Sequence, residues 1–404
     1  MVFRKRTRAN LARTTFLERI SPIERSERVP IESASQRILA EDIVSDINVP
    51  DHRRSAMDGY AVRADETTGA SQSNPVLMRE GVDCIRVHTG SPVPGEMDAV
   101  IMIEDTVTGR GMSGGGDAGD GTGEGAIVEI RAALHPGRNV SQIGEDVSRG
   151  DVVFRASHQI RACDVAMLAM LGIMDVEVFA SPRVAVIPTG SELAPRSGKI
   201  AEGMIRETNG LMVSTHIKQW GGIPDHRGIV IDDFDLIRTE ITASVDEGCD
   251  AIILCGGTSV GARDYVPDVI DSIGDLLVHG VGLSPGKPTA LGIVNDTPVL
   301  SLPGYPVACL IALLEFGLPI VRKLGRMPAK PDRIVHARLG AKIASKIGYL
   351  TYTRVSVDGD VAHPVATSGA GIMSSVTRSD GFVVIKEELE GLDCGDEVDV
   401  VLIE

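Results

Sequence analysis

Aromatic side chains are nearly missing from this 404-residue chain: they make up 3% of it, with a single Trp. That scarcity argues against base stacking on nucleic acid as the main activity. Positive charge is also in deficit. Forty Lys and Arg face 56 Asp and Glu, a net charge of −16, which argues against a general binder of nucleic acid or anionic membrane. A small anionic ligand stays open, because local loops set the field at a site. No apolar run approaches the ~18 residues of a membrane span. The six cysteines, Cys84, Cys163, Cys249, Cys255, Cys309 and Cys394, include no CxxC pair. This predicts reduced, buried thiols in a cytoplasmic protein, with neither zinc nor a disulfide framework. Cys255, entering a glycine loop, reads first as a core residue. The basic N-terminus (Arg4, Lys5, Arg6, Arg8, Arg13) has no apolar stretch behind it, so it reads as a solvated, frayed tail and not as a secretory signal.

The length predicts two to four domains. Residues 15–45 read as a helical, partly extended lead-in. From 46 to 152 short apolar runs alternate with Gly, Pro and Asp, which predicts a β-rich domain. Inside it, 109–125 is dominated by Gly and Asp. It lacks the Lys-Ser/Thr ending of a phosphate loop and reads as a flexible hairpin insertion. A helix over 162–171 can rejoin the lead-in, making the β-rich region an insertion. From 182 strands and helices alternate, which predicts a parallel-type sheet wrapped by helices. Residues 327–404 read as a small β-barrel or sandwich.

The richest stretch is 250–287. An apolar strand opens into GGTSVG (256–261), then a helix, and SPGKP (284–288) follows. A strand that opens into glycines and a helix presents backbone N–H groups to an anion, and Lys287 adds a point charge for phosphate. TGSEL (189–193) closes the first strand of the α/β region, making Glu192 a candidate ligand-facing carboxylate or a solvated turn residue. ETNG (207–210) precedes a helix, with Thr208 or Asn209 as its N-cap. LPGYP (302–306) closes the last strand, with Pro306 suited to a first helical position. SAMDGYA (55–61), TGSPVP (89–94) and GED (144–146) read by themselves as turns.

Taken in this order, these segments resemble the MoeA family of molybdopterin molybdenumtransferases, which also forms the C-terminal part of gephyrin. DAVIMIE (98–104), SGAG (368–371), Ser374, Ser375 and SDGF (379–382) extend the resemblance, which covers about residues 20–404. Glu207 stands where the family more usually has Asp, and Ser284 where many relatives carry a basic residue.

The resemblance implies a multidomain α/β plus β fold. Its parts are a MoaB- and Mog-like α/β domain at 182–326 and a β-rich inserted domain at 46–152. A discontinuous helical and extended linker domain covers 1–45 plus 153–181, and a C-terminal β-barrel covers 327–404. It implies an elongated homodimer acting on molybdate or tungstate and adenylylated molybdopterin, with Mg²⁺ and release of AMP. By motif it implies Asp58, Asp146, Glu192 and Asp264 as catalytic acids and metal ligands, with Asp232 as a further metal ligand. Thr89, Ser91, Thr189, Gly190, Asn209, Gly256, Gly257, Ser259, Lys287, Pro303 and Gly304 are implied to bind substrate. The adenylyltransferase that supplies the substrate is a possible partner. Two alternatives stand beside this reading: a molybdopterin adenylyltransferase, which shares the α/β domain, and a gephyrin-like scaffold without turnover.

Overall fold

The computed structural model describes residues 6–109, 125–256, 265–366 and 369–403. Its central body is a six-stranded sheet. In spatial order the strands are Ile223–His226, Arg183–Pro188, Ala251–Cys255, Thr297–Leu302, Ala290–Val294 and Asp275–His279. The first four run parallel, and Ala290–Val294 is antiparallel to both of its neighbours, so Asp275–His279 again has the direction of the first four. Side chains alternate between the faces of a strand, and these strands are apolar on both. Val184, Val186, Ile253 and Leu300 pack with the helices Asn209–Gln219 and Pro306–Ala312. Ala185, Ile187, Ile252, Leu254 and Val299 pack with Phe234–Asp246 and Tyr265–Ile273. Helices on both faces make this a doubly wound α/β domain, as the strand-helix alternation predicts.

Pro306 does start a helix, and an apolar helical run extends to Leu324, with a π turn at Leu313–Gly317 between two α segments. Pro319 lacks the N–H that would complete the regular ladder, so the helix widens just before it. The helix at Asn209–Gln219 also forms, but neither Thr208 nor Asn209 caps it with a side chain. Glu207 reaches forward instead, and its Oε1 accepts the Gly210 N–H at 2.5 Å.

The basic N-terminus is not a frayed tail from residue 7 onward. Thr7–Arg8 pairs in parallel with Val281–Ser284. The helix Ala9–Glu18 then buries Ala12 and Phe16, and Ile20 and Ile23 beyond it, in the core of the α/β body. The spacing of Ala12, Phe16 and Ile20 gathers one apolar stripe between the arginines. Arg13, on that helix, donates to Glu315 at 2.7 Å, and the Tyr352 hydroxyl donates to the other oxygen of Glu315 at 2.8 Å. This one buried carboxylate thereby ties together the first helix, the α/β body and the C-terminal region.

The linker region joins distant segments. Ser26–Pro30 pairs with Asp175–Phe179, and Ile43–Val44 with Val152–Phe154. The helix Ala162–Met170 packs Leu168 against Val29, Ile31, Leu39, Val176 and Val178. Between these segments lie two three-stranded sheets, one of Gly59–Val62, Ile85–Val87 and Ala99–Met102, the other of Val76–Arg79, Thr106–Gly109 and Ile127–Ile130. They enclose Tyr60, Val62, Cys84, Ile101, Val128 and Ile130. The Gly- and Asp-rich insertion lies outside the described residues except at its ends, where Gly109 pairs with Ile127.

At the C-terminus Leu350–Asp358, Val361–Ala366, Ile334–Leu339, Glu397–Leu402 and Gly381–Ile385 pair in turn, and the last pairs back with the first. The ring closes into a small barrel, which leaves no free edge. The Val281–Ser284 strand pairs with Leu350–Asp358, so barrel and α/β body share backbone hydrogen bonds.

Candidate functional site

The three central parallel strands end together. Pro188 is in register with Cys255, and Cys255 with Leu302. Three of the sequence motifs therefore leave the sheet from one edge: TGSEL after Pro188, the glycine loop after Cys255, and LPGYP at Leu302. Crevices at the carboxyl ends of such strands are where α/β folds bind ligands. Antiparallel pairing of Ala290 with Ser301 brings the Ser284–Pro288 turn, and so Lys287, to the same edge.

Backbone closeness sets the geometry. The Gly256 N–H donates to the Leu302 carbonyl at 3.0 Å, and the Thr189 N–H to the Cys255 carbonyl at 3.0 Å. Gly256 has φ +120°, and a Cβ there would stand 2.1 Å from the Thr189 carbonyl oxygen. Only glycine allows this approach. Gly304 lies against it: a Cβ on Gly304 would be 3.8 Å from Gly256 Cα. Pro303 joins Leu302 to Gly304 and is buried. The Asn209 side-chain amide donates to the Gly304 carbonyl at 2.7 Å and holds the turn.

Among the polar atoms buried without a hydrogen-bond partner among the described residues are Thr189 Oγ1 and Asp232 Oδ1, both at this edge. The other oxygen of Asp232 accepts the Ser191 N–H at 3.2 Å, and the Asp232 N–H returns to Ser191 Oγ at 3.3 Å. Asp232 and the Thr189–Glu192 turn are thus locked to each other. The Glu192 carboxylate folds back over Gly190, where a Cβ would meet Glu192 Oε2 at 3.0 Å. A buried carboxylate oxygen in the state of Asp232 Oδ1 fits a cation. Gly257, Ser259 and Asp264 lie outside the described residues.

Glu207 is the residue the motifs undervalued. It is buried, and beyond the Gly210 bond it has His226 Nε2 at 3.5 Å and Arg196 Nε at 3.9 Å from Oε2. A carboxylate three residues before a helical N–H was the available signal. Cys255, just before Gly256, is buried; a hydrogen bond with Cys309, and then burial, push its pKa well above the ordinary thiol range. It stays a protonated core thiol and is no nucleophile. Cys84, Cys249 and Cys309 are buried as well, whereas Cys163 and Cys394 are exposed.

A second group of motif residues gathers on the β-rich domain. The Ser55 N–H donates to the Ser91 carbonyl, and the Gly90 N–H to the Ser55 carbonyl, clasping SAMDGYA to TGSPVP. Asp58 Oδ1 accepts the Thr89 N–H at 2.7 Å and lies 3.2 Å from Thr89 Oγ1. The backbone N–H, and then the hydroxyl, hold the Asp58 carboxyl below its ordinary range. The Ser91 hydroxyl accepts the His88 N–H at 3.2 Å. Asp146 is exposed on a neighbouring turn, and its backbone N–H bonds the Val49 carbonyl. Among the described residues no three His, Cys, Asp or Glu side chains form a metal-holding group. Asp58, Asp146, Glu192 and Asp232 thus supply no such group of three among the described residues of one chain.

A doubly wound domain whose glycine turns leave one sheet edge, carrying a β-rich insertion and a closed C-terminal barrel, defines an architecture with known relatives. Residues 7–172 match the family described as "MoeA N-terminal region (domain I and II)", 185–323 "Probable molybdopterin binding domain", and 336–403 "MoeA C-terminal region (domain IV)". A molybdopterin biosynthesis protein of Methanocaldococcus jannaschii is 35% identical over 93% of this chain and 92% of its own. A Mycobacterium tuberculosis protein named molybdopterin molybdenumtransferase 2 is 32% identical over 82% of this chain and 83% of its own. The crystal structure of a molybdopterin biosynthesis MoeA protein from Pyrococcus horikosii superposes with a TM-score of 0.81 at 32% identity, covering 99% of this chain and 100% of that one. This chain belongs to the MoeA family.

Proposed function

We propose that the protein is a molybdopterin molybdenumtransferase. It inserts molybdate or tungstate into the dithiolene of adenylylated molybdopterin and releases AMP by hydrolysis of the pyrophosphate link. The observation that carries this reading is the crevice where Thr189, Asp232, Gly256 and Gly304 meet. Its glycines admit a backbone-close anion, and Thr189 Oγ1 and Asp232 Oδ1 are buried there without a hydrogen-bond partner among the described residues.

In this reading the Thr189 hydroxyl donates to a phosphate oxygen, and Lys287 adds positive charge beside it. Mg²⁺, held by Asp232 and Glu192 and, by motif, Asp264, would neutralise charge on the pyrophosphate. Asn209 keeps Gly304 in place, and by motif Gly257 and Ser259 are further substrate-binding residues. Asp58, held ionised by Thr89, serves as an acceptor and not as an acid, with Ser91 in the segment clasped to it and Asp146 on the same domain. The acids of the β-rich domain and those of the sheet edge form no metal-holding group among the described residues of one chain, which supports a site completed by a second copy in a two-fold dimer. The substrate comes from an adenylyltransferase acting before it in the cytoplasm.

The test is incubation with adenylylated molybdopterin, Mg²⁺ and molybdate, following AMP and metal-loaded cofactor. Molybdate-dependent AMP release supports the reading. A protein that binds the substrate and never releases AMP is a scaffold instead.

A further inference from the structure

In a chain so poor in aromatics, Tyr305 stands 69% exposed, the highest value among the exposed large hydrophobic residues described. Burial cannot account for it, and its position is specific. It follows Gly304, the residue that Asn209 holds over Gly256, and it precedes Pro306, which starts the apolar helix. The ring is braced from another domain. A Cβ on Gly371 of the C-terminal region would stand 3.2 Å from Tyr305 Cδ1, a tight contact, so the ring edge lies close against this glycine. The brace is itself anchored, because the Val307 N–H donates to the Ala370 carbonyl at 2.9 Å. Beside it Ile372 folds over Gly369 and remains 54% exposed. An edge-fixed ring with an open face, flanked by an exposed aliphatic side chain at the rim of an anion crevice, has the form of a stacking shelf.

We infer that Tyr305, braced by Gly371 and flanked by Ile372, is a specificity-determining subsite that stacks the flat nitrogen heterocycle of a phosphorylated ligand. This rests on the functional reading above and deepens it. The ligand class is a fused, planar heterocycle linked to phosphate. Both the adenylate and the pterin end of the substrate answer to it, since either offers a π face to a phenol ring. The subsite crosses a domain boundary, which gives the C-terminal barrel a part in recognition.

The test compares wild type with Tyr305→Ala, Tyr305→Phe and Gly371→Val by calorimetric titration, with AMP, molybdopterin and ribose 5-phosphate as probes. AMP release is followed in parallel. Tyr305→Ala should weaken one heterocyclic probe on the order of tenfold, the usual loss on removing a stacking ring. The probe affected names the end that stacks. Ribose 5-phosphate, which has phosphate and no base, should be unaffected, and Tyr305→Phe should restore binding. Gly371→Val should weaken the same probe by pushing the ring aside. The shelf alone is overturned if wild type binds AMP and molybdopterin and Tyr305→Ala binds both equally well, or if Tyr305→Ala weakens ribose 5-phosphate to the same degree. A wild type that binds neither AMP nor molybdopterin overturns the functional reading, and the shelf with it.

Discussion

The side-chain amide of Asn209 donates to the carbonyl of Gly304 at 2.7 Å, tying the start of one helix to the turn that starts another. The two residues are 95 positions apart. The bond fixes the wall of the crevice facing Gly256. Asn209→Ala should therefore cost only about 1 kcal/mol of stability, the net worth of one hydrogen bond. Its larger effect should be a raised KM for AMP release with kcat less changed. Urea unfolding and steady-state kinetics check both. An unchanged KM would make the bond a mere helix-end contact.

Gly256→Ala should be far more damaging. The residue sits at φ +120°, and its new methyl would fall 2.1 Å from the Thr189 carbonyl oxygen, which is backbone and cannot swing away. Backbone strain and overpacking together should cost about 2–4 kcal/mol. A thermal melt within a degree of wild type would contradict the geometry.

Asp58 should titrate below the ordinary aspartate value of 3.8. The Thr89 N–H stabilises its charged form first and the Thr89 hydroxyl second. With the folded pKa depressed, this interaction is present above pH 3.8 and is lost as pH falls through the folded value. Carboxyl-carbon NMR of the protein measures it directly. Thr89→Ala should recover part of the drop and not all of it, because the backbone donor remains. A full return to 3.8 would assign the effect to the hydroxyl alone.

Glu315 should show the opposite sign. Burial raises its pKa above 4.5, outweighing the favourable Arg13 charge and the Tyr352 hydrogen bond. Its unfolded form ionises first, so its contribution to stability is greatest below pH 4.5 and declines as pH rises through the folded value. The stability difference between wild type and Glu315→Gln, followed by urea unfolding from pH 4 to pH 7, should shift against wild type with rising pH. A pH-independent difference would contradict the sign. Tyr352→Phe removes one bond to this carboxylate and should cost about 1.5–3 kcal/mol.

Local patterns made much of the fold legible. Strands such as Ala251–Cys255 announce themselves because both faces are buried, and the helix run at 306–324 because nearly every position is apolar. What stayed hidden depends on distant partners. The Ala9–Glu18 helix carries its core face among arginines, and only the sheet and the Pro306–Leu324 region reveal what Ala12 and Phe16 pack against. The strand Val281–Ser284 lies between the phosphate-loop candidates, yet it hydrogen-bonds to Thr7–Arg8 and to the barrel. Such pairings leave no trace in spacing. In the site, the glycine motifs showed where backbones approach. The cap made by Glu207 and the exposed ring of Tyr305 did not show, because a carboxylate or a phenol has the same sequence appearance whether it is buried, capped or open.

The central claim is that AMP-releasing metal transfer takes place at sites built from two copies of the chain. Mixing Asp58→Ala with Asp232→Ala tests it most directly. Each variant alone should be inactive, since one lacks the acceptor on the β-rich domain and the other the buried carboxylate at the sheet edge. After random subunit exchange, half of the dimers are mixed. In each of these one site collects both lesions and the other has none, so roughly a quarter of all sites should recover molybdate-dependent AMP release. With subunit exchange verified by differently tagged chains, the absence of any recovered activity would contradict the account.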